Sequence, residues 1–90
     1  MTKAELVAVM AKASGSRKAA AERGLGAALG AMRSALKRGQ RVTLSGFGTF
    51  TVAWRAARVG RNPRTGREIK IPAARVPRFR PSKALKATLQ

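Results

Sequence analysis

The sequence predicts an α+β fold: two helices, a three-stranded antiparallel sheet drawn out into a long β-ribbon arm, and a short C-terminal helix. Three observations predict it. Apolar residues recur at helical spacing as far as Gly39; from Arg41 the period changes to two; and a turn signal, Asn62-Pro63-Arg64-Thr65-Gly66, sits at the centre of a basic, non-helical run from Arg55 to Pro77. Ninety residues suit one small domain. Its expected parts are a helical base over 1–39, a sheet over 40–54 and 76–81, an arm over 55–75 and a final helix over 82–90.

Thr2 and Glu5 have the spacing of a capping box, and Leu6, Val9, Met10 and Ala13 follow at helical intervals, so a first helix ends near Ser14-Gly15. Ser16 is placed to cap a second helix, whose stripe of Leu25, Ala28, Leu29, Met32 and Leu36 runs to Lys37-Arg38 and stops at Gly39. Gly24, Gly26 and Gly30 interrupt that helix; either they admit a neighbouring helix or the helix bends. Val42 and Leu44, then Phe50, Val52 and Trp54, alternate with small or polar residues, and Gly46-Phe47-Gly48 links the two strands. Trp54, beside Val52 on the alternating strand, is expected to cover the sheet. In the arm, Pro63 fixes φ and Gly66 accepts positive φ, while Ile69 and Ile71 mark the return strand. Pro81-Ser82 opens the last helix, with Leu85 and Leu89 on one side.

The charge balance is 20 basic against 3 acidic side chains, a net +17. A small domain stays soluble with a net charge of about 2 to 8, so the excess points to a polyanionic partner. Basic residues recur every third position at Arg55, Arg58, Arg61, Arg64, Arg67 and Lys70, a spacing that a pleated ribbon divides between its two faces. A two-stranded ribbon is marginal in water on its own, and the groove of a duplex would neutralise it. With no Cys and no His, thiolate chemistry and the usual metal ligands are missing. The three glutamates fall in separate elements, Glu68 among arginines as an ion-pair partner, and no base stands ready to activate Ser45 or Ser82, so the residues argue against an enzyme. No cofactor, metal, membrane or small-molecule substrate is expected. The first fifteen residues read as structure and not as a signal peptide.

Four ordered blocks then carry a resemblance. They are Gly46-Phe47-Gly48-x-Phe50, Ala56-Ala57-Arg58-x-Gly60-Arg61-Asn62-Pro63-x-Thr65-Gly66, Ile71-Pro72-Ala73, and Val76-Pro77-x-Phe79-x-Pro81-x-Lys83-x-Leu85-Lys86. In these the chain resembles, end to end, the bacterial HU and integration-host-factor family of histone-like DNA-bending proteins, with HU the nearer type. The resemblance implies an intertwined dimer in which the helices form a base, the sheets a saddle, and two arms clasp the minor groove of double-stranded DNA. Pro63 matches the position that inserts between base pairs at the arm tip, with Arg61, Asn62 and Arg64 beside it. Arg55, Arg58, Arg67, Lys70 and Arg75 would track phosphates and groove walls, and Lys3, Lys83 and Lys86 match basic positions of the saddle and flanks. Phe47, Phe50 and Phe79, in a chain poor in bulky side chains, would form a core shared across the dimer.

The expected function is therefore a cytoplasmic, nucleoid-associated homodimer, with a heterodimer as the variant form, that bends and compacts DNA with little sequence preference and favours bent, nicked or junction DNA. Two other readings stand beside it: a site-specific subunit of the integration-host-factor type, and a basic RNA-binding protein. The chain departs from the family pattern at Ala53 and Trp54, where charge is common, at Val59, where a basic residue is frequent, and in the glycines of the second helix, Gly24, Gly26 and Gly30, which are unusual there.

Overall fold

The computed structural model describes all residues, Met1–Gln90, as two compact units, Met1–Ala35 and Leu36–Gln90. Helix α1 spans Lys3–Ser14 and α2 spans Lys18–Lys37. The Thr2 hydroxyl accepts from the Glu5 N–H at 3.2 Å, which satisfies one of the orphan donors of the first turn, as the capping-box spacing predicts. Gly15 ends α1 in the left-handed conformation, and both its N–H and that of Ser16 reach the Ala11 carbonyl. This exit claims Ser16 for the end of α1, so Ser16 does not cap α2 as expected. Its hydroxyl lies 2.7 Å from that of Ser14, and α2 starts one residue later, with the Arg17 carbonyl accepting from Ala21 N–H.

The helical unit buries very little. Val7, Ala11 and Ala21 are its buried apolar residues, with Met10 and Leu25 packed partly against them. The three glycines of α2 leave the helix unbroken over Lys18–Lys37. A Cβ added at any of them would meet nothing of the same chain within 4 Å.

In the second unit, strands β1 (Val42–Leu44), β2 (Gly48–Arg55) and β5 (Ala74–Pro81) form an antiparallel sheet in the order β1-β2-β5. Strands β3 (Arg58–Arg61) and β4 (Glu68–Ile71) form a separate two-stranded ribbon, and Ser82 caps the short helix α3 (Lys83–Thr88) by accepting from Leu85 N–H. Alternation divides the three-stranded sheet into two unlike faces. Register pairs Phe50 with Phe79 and Val52 with Pro77 on one face, and Thr49 with Arg80 and Thr51 with Arg78 on the other. Gly48 is buried in β2 because a side chain there has no room: its Cβ would sit 2.5 Å from the Phe79 ring and 2.7 Å from the Arg80 carbonyl oxygen. Phe79 stacks in tilted fashion on Phe50 at 4.8 Å and on Phe47 at 5.6 Å between ring centroids. Trp54 does not cover the sheet; it is 71% exposed, because β1 pairs with β2 only as far as Phe50 and leaves no strand beside Trp54 on that side.

Candidate nucleic-acid interface

The ribbon begins where the three-stranded ladder ends. Arg55 pairs with Ala74 as the last rung of β2 and β5, and Arg58 pairs with Ile71 as the first rung of β3 and β4. Between them Ala56-Ala57 and Pro72-Ala73 belong to neither ladder. Beyond them, cross-strand partners share a face, so Arg58, Gly60, Ile69 and Ile71 line one side and Val59, Arg61, Glu68 and Lys70 the other. The three-residue spacing thus splits the cations between faces, as read from the sequence. Glu68 stands across from Arg61 in register without forming the ion pair expected of it.

The tip is closed by four hydrogen bonds. Asn62 N–H donates to the Arg67 carbonyl at 2.9 Å, and Gly66 N–H donates to the Asn62 carbonyl at 2.8 Å. The Asn62 side-chain oxygen accepts from Arg64 N–H at 2.8 Å, and the Thr65 hydroxyl accepts from Arg67 N–H at 3.3 Å. Gly66 supplies the positive φ of 70° that the loop needs to turn back into β4. Pro63 has no N–H to place, and it stands exposed at the apex with Arg61, Arg64 and Arg67 exposed around it. An exposed apolar ring thereby sits on an ordered loop flanked in sequence by exposed arginines.

The other predicted residues fall in several places. Arg55 closes the three-stranded sheet. Lys83 and Lys86 lie exposed one turn apart on α3, and Lys3 opens α1 in the helical unit. Arg75 belongs to β5, opposite Trp54, and its guanidinium donates to the Leu36 and Lys37 carbonyls at 3.1 and 2.9 Å. Phe47, Phe50 and Phe79 do come together, yet Phe47 remains 47% and Phe79 42% exposed.

The structure adds three cations that the sequence reading passed over. Arg41, Arg78 and Arg80 line an open groove of about 560 Å³ with Thr49 and Thr51, bordered by Phe79 and Pro81. The signal was present: in Arg78-Phe79-Arg80 a period of two puts both charges on one face and the ring on the other. No carboxylate lines the groove. Fourteen of the twenty basic side chains lie in residues 36–90, where Glu68 is the one acidic residue, so this unit carries most of the positive field. No three His, Cys, Asp or Glu residues group as a metal site, and no helix is long and apolar enough to cross a membrane.

Residues 1–90 match the family described as "Bacterial DNA-binding protein". The DNA-binding protein HU-beta of Neisseria meningitidis is 51% identical over 89 residues, covering 99% of this chain and all of the relative. HU-beta of Escherichia coli is 52% identical over 86 residues, 96% of each chain. Among solved structures, HU of Anabaena in a cocrystal with DNA superposes with a TM-score of 0.93 at 42% identity, covering 99% of this chain and 97% of that one.

Proposed function

The chain belongs to the bacterial DNA-binding protein family, and on that premise we propose that it is a non-enzymatic, histone-like architectural protein that binds duplex DNA through the minor groove and bends it. The observation that carries the reading is the ribbon tip: an exposed Pro63 on a loop closed by four hydrogen bonds, with Arg61, Arg64 and Arg67 around it. The DNA-bound state of the Anabaena relative supports it. Wedging an apolar residue into a base step costs a few kcal/mol, and the bend it produces brings flanking DNA against more basic surface. In this reading Arg58, Arg67 and Lys70 follow the phosphates along the arm, Asn62 shapes the tip, and Arg55, Lys3, Lys83 and Lys86 hold the flanks. Arg41, Arg78 and Arg80 add phosphate contacts on the polar face of the sheet. Affinity comes chiefly from counterion release, and the minor groove offers little base discrimination, so sequence preference is weak.

The working form is a homodimer, and packing supports it. No side chain of the chain is fully buried, and the exposed surface is 7643 Å². A folded monomer of this mass exposes about 5,100 Å², and an obligate homodimer interface buries about 2,000–5,000 Å². The half-exposed phenylalanine cluster is the natural part for a second copy to cover.

Gel-shift titrations of linear, nicked and four-way-junction DNA and of duplex RNA at two salt concentrations test the reading. Nicked and junction DNA should bind more tightly than linear DNA, and RNA least, because pre-bent sites lower the deformation cost. Tighter binding to RNA would reject it, and discrimination between a defined site and random duplex above about 10³ would make the protein a site-specific subunit.

A further inference from the structure

We infer that Arg75 is a positioning residue that fixes the foot of the arm to helix α2, and not a ligand of DNA phosphate. Its Nη2 donates to the carbonyls of Leu36 and Lys37, the last turn of α2, across 39 and 38 residues of sequence. Those carbonyls have no intrahelical partners, and they carry the negative end of the helix dipole, so a guanidinium there makes charge-assisted bonds. Gly39 N–H is the other donor on Leu36. Val52, Val76 and Pro77 close around the junction and leave a cavity of about 200 Å³.

The place of this clamp in the ladder gives it a consequence for bending. Arg75 pairs with Trp54, one rung below the last rung of the three-stranded sheet, and immediately above that rung lie the unpaired Ala56-Ala57 and Pro72-Ala73. These four small residues, one of them without an N–H, form a two-stranded hinge between sheet and ribbon. With Arg75 holding the end of β5 to the helix, motion of the arm is confined to that hinge. Without it, fraying from the hinge spreads down β2 and β5, and the arm no longer leaves the sheet in one direction. Both N–H groups of Nη2 are taken by the two carbonyls, which fixes the guanidinium at the helix end.

The inference rests on the DNA-bending reading for its effect on DNA, but its structural half is tested on the free protein. Amide hydrogen exchange at residues 52–55 and 74–77 should quicken by about 10-fold or more in Arg75→Ala, since even one hydrogen bond to a charged group is worth about that factor. Arg75→Lys keeps the charge beside the helix, but its ammonium ends one atom short of the position of Nη2, so its exchange should fall between. On duplex DNA, both variants should keep the parent's salt slope while the energy transfer between end labels at saturation becomes weaker or broader. A slope flattened by about 0.9 in Arg75→Ala, with exchange unchanged, would make Arg75 a phosphate ligand and overturn the inference. Parental exchange rates in both variants would overturn it as well. If Arg75→Ala does not fold, Arg75→Lys alone decides by the same exchange readout, and a parent protein that fails to bend DNA would refute the functional reading while leaving the exchange test intact.

Discussion

Gly48 and Pro63 show how much single residues decide here. At Gly48 the ring of Phe79 and the Arg80 carbonyl occupy the space of a side chain, and that close approach lets Phe79 reach both Phe47 and Phe50. Gly48→Ala must displace the ring or spread β2 from β5, an overpacking cost of about 1–3 kcal/mol. A thermal melt should show the loss; an unchanged midpoint would mean the aromatic cluster is loosely held. At Pro63 the local structure is not at stake, because the loop closes through Asn62, Thr65, Gly66 and Arg67 without it. Its ring is exposed, and the wedge role proposed for it would be read in the shape of the DNA.

At the scale of elements, the ribbon has few apolar contacts of its own, and Val59 and Ile69 are exposed on opposite faces. Its cations make it a surface for a polyanion, and their number is measurable. Replacing Arg58 and Arg61 together by Ala should weaken binding to every duplex alike and flatten the slope of log affinity against log salt by about 1.8, two phosphates' worth. An unaltered slope would place the contact surface elsewhere. Most of these elements were legible in the sequence because each rests on local chemistry. The Thr2–Glu5 cap, the change of period at Arg41 and the Asn62–Gly66 turn are set by neighbours within a few residues. What was not legible depends on distant partners. Ser16 lost its expected capping role to the exit of α1 at Gly15, Trp54 lies exposed because β1 is too short to reach it, and the partner of Arg75 is a helix end far away in sequence. Arg78 and Arg80 became part of the candidate site only when register put Thr51 and Thr49 across from them. The α2 glycines sit in a continuous helix with open space beside them within the chain.

For the whole molecule, the buried core of the helical unit is limited to Val7, Ala11 and Ala21, and in the proposed homodimer folding and association form one equilibrium, so stability should rise with protomer concentration. In the proposed dimer two proline-tipped ribbons would act on one duplex and bend it at two steps. The central claim is this bending by paired tips, and it is tested most directly by energy transfer between dyes at the two ends of a short duplex saturated with protein. The parent should bring the ends markedly closer. Pro63→Ala, still a dimer by sedimentation, should bind at the same salt slope but bring them together much less, since the few kcal/mol of unstacking are no longer driven by a wedge. Equal energy transfer for parent and variant, or none for the parent at saturation, would contradict the account.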